Sequence, residues 1–231
     1  MKYAVFDWDN TIRNGFTLFS WMDFLYEKNI LDSRVSKIIE KVQGQYAEGK
    51  INHDDYAGTA CEIYAEAMQG VSEDRRDALV AQYMKFDRQS IFPFAEEIFR
   101  YIRYCGVKPI IISGAPRYIV EQYKDDFGIY DIYAFDEEYV DGICTGRVEN
   151  NYGMNKKKTV EQLCEIFGEK PIVGFGDSYS DIPIFDMSVY SFCIVRNQSS
   201  DKPYGKHVHY VINETTARQM QIMLRQVLGG K

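Results

Sequence analysis

The distribution of apolar positions divides the chain into three regions. Residues 3–6 form a short apolar run that is too short for an isolated helix and lacks the features of a secretory signal, so it predicts a buried strand. Residues 14–90 contain four successive stretches of helical periodicity without strand-like alternation. From residue 91 onward, helix and strand patterns alternate, as is typical of a parallel sheet with crossover helices.

The four periodic stretches predict a small helical insert. Asn52 and Ser72 are expected to begin the third and fourth helices, and Gly49 and Gly70 to end the second and third. We therefore predict an α/β fold in which residues 1–13 and 91–231 form a Rossmann-like, parallel-sheet core domain. Residues 14–90 are predicted to form a four-helix cap domain inserted after the first strand.

The alternating region predicts further elements of the core. Helices are expected over residues 96–105, 117–127, 156–167 and 215–228, and strands over residues 107–112, 172–175, 189–195 and 207–212. Residues 132–148 form two extended runs around Asp141-Gly142, which is a strong signal for a hairpin turn.

Composition narrows the class of protein. The chain has 231 residues, 45% of them apolar, which suffices for one core with a smaller insert. A net charge of −7 argues against nucleic acid as a partner. The sequence contains no run of about 18 apolar residues, so no membrane span is predicted. The five cysteines are widely spaced, without a Cys-x-x-Cys pair or histidines at ligand spacing, which favours free thiols in the cytoplasm over zinc or disulfides. Nothing in the sequence indicates the oligomeric state.

Small or acidic polar residues follow three of the predicted core strands. They are Asp7 and Asp9 after the first, Ser113 and Gly114 after the second, and Asp177 and Asp181 after the third. Because parallel strands end at a common edge, the carboxylates should meet there, and without a cation they would repel one another. Mg²⁺ takes one or two such carboxylates and bridges to a phosphate. The Ser113 hydroxyl and the backbone N–H groups before the following helix are suited to an anion.

A cluster of three lysines at the start of a predicted helix supplies positive charge. At about 100° per residue, Lys156 lies within roughly 30° of the centre of the buried face, Lys157 lies further away, and Lys158 lies opposite. Lysines are unfavourable at the positive end of a helix dipole, and a bound phosphate would remove that cost. We expect Lys156 to reach the site, with Lys157 as the alternative.

Taken in order, four segments resemble the signature motifs of the haloacid dehalogenase-like hydrolases. They are Asp7-Trp8-Asp9-Asn10-Thr11, Ser113-Gly114, Lys156 and Gly176-Asp177-Ser178-Tyr179-Ser180-Asp181. The helical insert resembles a C1-type cap. The hairpin around Asp141-Gly142 resembles the phosphoserine-phosphatase-like branch, subfamily IB.

The resemblance implies a Mg²⁺-dependent phosphatase that acts through an aspartyl-phosphate. Asp7 would be the nucleophile, and Asp9 the general acid and base with a backbone carbonyl on the metal. Asp177 would bind the metal and Asp181 would support it. The resemblance also implies that the phosphoryl oxygens are bound by four residues, Thr11, Ser113, Gly114 and Lys156. The second aspartate of the first motif, Asp9, resembles the acid that phosphatases and phosphomutases of the superfamily have at this position.

The expected substrate is a small phosphorylated metabolite, with phosphoserine disfavoured. Phe16 stands where the phosphoserine phosphatases have a glutamate, and Ala60 stands where they have a cap arginine. If phosphoserine were nevertheless preferred, Arg13 would be the first candidate partner for its carboxylate.

Four aromatic residues of the insert suggest a pocket suited to a sugar, an apolar group or a quaternary ammonium head. They are Phe16, Phe19, Trp21 and Tyr56, which could instead pack the helices together. Two alternative functions remain: a phosphotransferase using the same intermediate, and an inactive binding or regulatory protein on the same fold.

Overall fold

A seven-stranded sheet forms the centre of the molecule. The computed structural model describes residues 1–195, 204–213 and 216–229. The strands are β1 (Tyr3–Phe6), β2 (Lys108–Pro116), β3 (Asp131–Val140), β4 (Ile143–Asn151), β5 (Val173–Gly176), β6 (Tyr190–Ile194) and β7 (Tyr210–Ile212). Their order is β4-β3-β2-β1-β5-β6-β7, and every neighbouring pair is parallel except β3 and β4. The predicted α/β fold with a parallel-sheet core is confirmed.

The central strand β1 is buried on both faces. Val5 packs with Ile110 and Val160 on one side, whereas on the other Phe6 stacks on Phe175 and contacts the tilted ring of Phe99. This arrangement explains the uninterrupted apolar run, since a strand covered on both faces needs no polar alternation.

Four helices occupy the segment between β1 and β2. They are α1 (Thr17–Glu27), α2 (Ser33–Ala47), α3 (His53–Ala67) and α4 (Glu73–Asp87). As predicted, the side chains of Asn52 and Ser72 accept hydrogen bonds from the amides of Asp55 and Arg75, at 2.8 and 3.3 Å. The division into a core and a cap domain at residues 14 and 90 stays a prediction.

The remaining helices pack around the sheet. They are α5 (Ala95–Tyr104), α6 (Arg117–Val120), α7 (Lys124–Phe127), α8 (Lys156–Phe167), α9 (Ile182–Met187) and α10 (Met220–Leu228). Helix α8 has the predicted bounds, and α10 ends as predicted, although residue 215 lies outside the described residues. No helix in the described ranges is long and apolar enough to cross a membrane.

Several predicted bounds were wrong for local reasons. The expected helix over residues 117–127 is broken by a 3₁₀ turn, Glu121–Tyr123, which brings the Tyr123 hydroxyl to 2.7 Å from Asp87 Oδ2. Strand β2 continues through Ser113 and Gly114 to Pro116, because its pairing with β3 resumes after an irregularity. Helix α9 was not predicted, since it has only six residues.

The predicted hairpin is present and lies at the edge of the sheet. Asp141 and Gly142 have φ angles of 49° and 74°, the positive values that a tight two-residue turn requires. The connection between α3 and α4 pairs with this hairpin, because Gly70 N donates to Cys144 O and Cys144 N donates to Val71 O, both at 2.9 Å. The helical insert thereby covers the outer edge of β4.

The two connections between insert and sheet are joined by hydrogen bonds. Asn14 N donates to Ser90 O at 2.7 Å, and Phe92 N donates to Ile12 O at 2.9 Å. The insert is therefore fixed to the sheet at two places, the paired connections and the hairpin.

A buried ion pair lies beside these connections. The Arg13 side chain is 2% exposed and the Asp87 side chain is fully buried, with Arg13 Nη2 2.7 Å from Asp87 Oδ1. The hydroxyls of Tyr83 and Tyr123 donate to the two oxygens of the same carboxylate, at 2.8 and 2.7 Å. Both carboxylate oxygens of Asp87 thus accept hydrogen bonds from buried donors.

A second buried polar chain joins the insert to the hairpin. The Trp21 indole donates to the Tyr64 hydroxyl at 2.8 Å, and that hydroxyl lies 2.6 Å from the hydroxyl of Tyr118. Tyr118 in turn donates to Glu137 Oε1 at 3.2 Å. Burial raises the pKa of the Glu137 carboxyl to about 7, although Arg76 and the tyrosine hydroxyls partly oppose this.

The raised pKa of Glu137 predicts a pH-dependent stability that Glu137→Gln should remove. Between about pH 4.3, the pKa of an unfolded glutamate, and pH 7, the folded protein holds a proton that the unfolded chain has lost. Folding stability from this group therefore falls as pH rises, by up to about 1.4 kcal/mol per pH unit.

Urea unfolding of both proteins from pH 5 to pH 8 tests this expectation. The difference in unfolding free energy should shift in favour of Glu137→Gln as pH rises and level off above pH 7. Parallel curves for the two proteins across this range would contradict it.

Candidate active site

The carboxyl ends of β1, β2 and β5 bring the predicted polar residues together. Phe6 of β1 pairs with Ile111 of β2 and with Phe175 of β5, so the residues that follow these three positions lie at the same edge of the sheet. Oxygen atoms of Asp7, Asp177 and Asp181 lie within 4.8 Å of one another. The predicted meeting of carboxylates from two strands is thus observed.

Lys156 lies at the centre of this cluster. Its Nζ is 2.8 Å from Asp7 Oδ1 and 2.6 Å from Asp181 Oδ1, and its side chain is only 7% exposed. Burial alone would lower the pKa of Lys156, but the two carboxylates outweigh it and raise that pKa above its ordinary value. Lys157 instead is 75% exposed and 4.0 Å from Glu161. Of the two lysines that the sequence left open, Lys156 is the one at the site.

Asp181 organises the loop that follows β5. Its Oδ2 accepts hydrogen bonds from the amides of Asp177 and Ser178, both at 2.9 Å, while Oδ1 faces Lys156. A Cβ on Gly176 would collide with the Asp181 side chain, so the strand can approach this carboxylate only because residue 176 is a glycine. Both Asp181 oxygens are engaged, which favours the supporting role expected for it.

Asp9 lies in an environment different from that of Asp7. Its Oδ1 accepts a hydrogen bond from the Thr17 amide at 3.0 Å and another from the Thr17 hydroxyl, at the start of α1. Burial raises the pKa of Asp9 to about 6, and the Thr17 bonds and Arg13 partly oppose that rise. Its carboxylate does not belong to the cluster of three aspartates, and metal binding through its backbone carbonyl stays a prediction.

The residues predicted to bind phosphoryl oxygens occupy two positions. Ser113 and Gly114 line a cavity above the cluster. The Ser113 hydroxyl accepts a hydrogen bond from the Ala115 amide at 3.1 Å. Thr11 is fully buried, and its hydroxyl donates to Asp7 Oδ2 at 3.2 Å. Thr11 therefore orients Asp7, and its contact with a phosphoryl oxygen stays a prediction.

The donor set fits a hard divalent cation. Burial, followed by nearby carboxylates, raises the pKa of Asp177, and burial likewise raises that of Asp7 although Lys156 opposes it. One ammonium group thus faces three crowded carboxylates, and oxygen-only donors of this kind are those that Mg²⁺ prefers. Asp7 and Asp177 are the residues that would hold it, with Asp181 behind them.

The cavity above the cluster has a volume of about 270 Å³ and an aromatic wall. Phe16, Phe19 and Tyr56 line it as predicted, together with Tyr46. Trp21 was wrongly placed there, since it is fully buried and bonded to Tyr64. Tyr46 of α2, which was not among the aromatic residues expected to line a pocket, is 39% exposed.

The positions that disfavour phosphoserine lie in this cavity. Phe16 and Ala60, the two residues on which that expectation rests, both line it. The suggestion that Arg13 could bind a substrate carboxylate is wrong, because its side chain is buried and bound to Asp87.

Sequence reasoning missed several residues at the site. Thr17 gave no signal beyond helical periodicity, and the loop before α8 gave none. Asn151 at the end of β4 and Gly153 and Met154 of this loop line the cavity.

Comparisons with known proteins identify a matching family model. The family model described as haloacid dehalogenase-like hydrolase matches residues 4–186. A comparison with curated protein sequences found no match.

Solved structures similar to this chain share its fold at low sequence identity. A protein of unknown function from Bordetella pertussis Tohama I has a TM-score of 0.74 and 18% identity, over 91% of this chain and 98% of the other. A phosphoserine phosphohydrolase-like protein from Francisella tularensis subsp. tularensis SCHU S4 has a TM-score of 0.68 and 15% identity, over 96% and 100%. A substrate-bound phosphoserine phosphatase has a TM-score of 0.66 and 18% identity, over 96% and 97%.

Proposed function

This chain belongs to the haloacid dehalogenase-like hydrolase family, and we propose that it is a Mg²⁺-dependent phosphatase acting on a small phosphomonoester. The observation that carries the proposal is the different setting of the two aspartates of the first motif. Asp7 is bonded to the Lys156 ammonium, whereas Asp9 is held two residues away by Thr17 at the start of α1. This difference supports a role for Asp7 as the nucleophile and for Asp9 as the proton carrier.

The reaction follows from this placement. An Asp7 oxygen attacks phosphorus and the ester P–O bond breaks, while Asp9 gives a proton to the departing oxygen. Asp9 then accepts a proton from water as that water attacks the aspartyl-phosphate, which releases phosphate and regenerates Asp7. Lys156 and Thr11 hold Asp7 in orientation, and Lys156 offsets negative charge on the phosphoryl group.

The remaining groups complete the site. Ser113 and Gly114 line the cavity, where the Ser113 hydroxyl and the Gly114 amide would bind phosphoryl oxygens. Mg²⁺ held by Asp7 and Asp177 would supply further neutralisation of phosphoryl charge. Retention of Asp7, Asp9 and Lys156 together favours catalysis over mere binding, which would need no separate nucleophile and acid.

Phosphate release from a panel of phosphomonoesters, with Mg²⁺ and with EDTA, tests this function. Wild-type protein should release phosphate only with Mg²⁺, and Asp7→Asn should be slower by about 10³-fold or more. Phosphoserine should not be the best substrate. Absence of release from every ester, or full activity of Asp7→Asn, would refute the proposal.

Gly153→Ala is expected to lower kcat/KM by about 100-fold, because small displacements of a phosphate-binding group are costly. A Cβ at residue 153 would lie 2.5 Å from Gly114 Cα and 3.0 Å from Ser113 C, and these backbone atoms cannot swing aside. Gly44→Ala is the control, since a Cβ there meets no atom within 4 Å. Equal kcat/KM values for the two variants would show that Gly153 does not position the Gly114 amide.

A further inference from the structure

Three aromatic rings from three different helices form a continuous stack in the wall of the cavity. The Tyr56 ring of α3 lies 5.7 Å from that of Phe19 on α1 and 5.1 Å from that of Tyr46 on α2, with interplanar angles of 22° and 3°. We call these residues the aromatic stack. All three line the same cavity as Asp7 and Lys156.

The cavity offers no cation for an anionic leaving group. Lys156 is the only lysine or arginine among its described lining residues, and it is already held between Asp7 and Asp181. A carboxylate or a second phosphate on the leaving group would therefore be buried without a partner, beside the Asp9 carboxylate.

The cavity is equally poor in partners for an ammonium group. Its carboxylates are Asp7, Asp9 and Asp177, which the reaction uses. Leu18 and Ala60 add apolar surface to the lining of the cavity. These surfaces favour an uncharged group with a flat apolar face.

We propose that the aromatic stack is the leaving-group subsite and selects phosphomonoesters whose leaving group is uncharged and presents a flat apolar surface, with Tyr56 as the specificity-determining residue. This inference rests on the proposed phosphatase function. The stack packs against the leaving group, while the aspartates and Lys156 handle the phosphoryl group.

Three small esters separate the possible leaving groups: phenyl phosphate, phosphocholine and phosphoserine. Phenyl phosphate should have a kcat/KM at least about tenfold above the other two, because neither charge finds a partner in the cavity. A higher kcat/KM for phosphocholine would show cation binding by the stack, and one for phosphoserine would show a carboxylate partner. Either result would overturn the inference.

The variant Tyr56→Leu tests the residue itself, with leucine retained as a good helix former. KM for phenyl phosphate should rise about tenfold while kcat stays within about twofold, since the ring contacts the leaving group before and during reaction. Tyr104→Leu is the matched control because Tyr104 is 83% exposed and lies outside the cavity. An unchanged KM in Tyr56→Leu would overturn the inference.

Calorimetric binding to the Asp7→Asn protein, with Mg²⁺ present, separates failure of this inference from failure of the proposed function. Absence of hydrolysis of any ester by wild-type protein would refute the phosphatase. Binding of phenyl phosphate to Asp7→Asn, weakened about tenfold by the added Tyr56→Leu change, would still support the subsite. Equal binding with and without that change would overturn it whatever the hydrolysis result.

Discussion

Replacing Asp87 with alanine is expected to lower the free energy of unfolding by about 3–5 kcal/mol, the cost of removing one partner of a buried ion pair. The Arg13 guanidinium would stay buried without its counter-charge, since both side chains are almost completely shielded from solvent. The Tyr83 and Tyr123 hydroxyls would lose their acceptor at the same time. Arg13 and Asp87 flank the paired connections, so the loss should loosen the insert where it joins the sheet.

Asp126→Ala is the matched control, because Asp126 pairs with Arg88 at 2.5 Å but both side chains are about half exposed. Its removal should cost less than about 1 kcal/mol. Urea unfolding followed by circular dichroism measures both variants. If Asp87→Ala were destabilised no more than Asp126→Ala, the buried pair would not stabilise the junction between insert and sheet.

Replacing Lys156 with methionine is expected to lower kcat for phosphate release by about 10²–10³-fold, the range found when one charge-stabilising donor is removed. The methionine keeps the volume of the stem but leaves Asp7 and Asp181 without the ammonium that lies 2.8 and 2.6 Å from their oxygens. Unpaired, the neighbouring carboxylates would favour protonation, and protonated Asp7 cannot attack phosphorus.

Lys157→Met provides the control on the adjacent residue of the same helix. Lys157 is mostly exposed and 4.0 Å from Glu161, so its loss should leave kcat within about twofold of wild type. Similar losses in both variants would indicate that general positive charge, and not the position of Lys156, supports the reaction.

Local pattern in the sequence predicted the parts of the site that depend on strand ends and helix faces. Asp7, Ser113 and Asp177 were found because each lies where an apolar run ends, and parallel strands bring such ends together. Lys156 was selected over Lys157 by helical periodicity alone, and α8 lies with that face against the sheet.

The remaining contacts depend on how elements pack, which local pattern does not encode. The Arg13–Asp87 pair joins residues 74 positions apart, and nothing near either residue indicates its partner. Periodicity also could not show that Trp21 packs in the core whereas Tyr46 lines the cavity. An apolar helix face gives the same pattern whether it covers a core or a cavity. For the same reason the contact between Asp9 and Thr17 was found only in the folded chain.

The most direct test of Asp7 as a nucleophile is oxygen exchange between inorganic phosphate and water, since it needs no knowledge of the natural substrate. Phosphate labelled with heavy oxygen is incubated with the protein and Mg²⁺, and its isotopic composition is followed by mass spectrometry. Reversible formation of an aspartyl-phosphate on Asp7 expels a phosphate oxygen as water and returns solvent oxygen on hydrolysis. The account predicts progressive loss of label with wild-type protein and none with Asp7→Asn; equal loss with both proteins, or no loss with either, would contradict it.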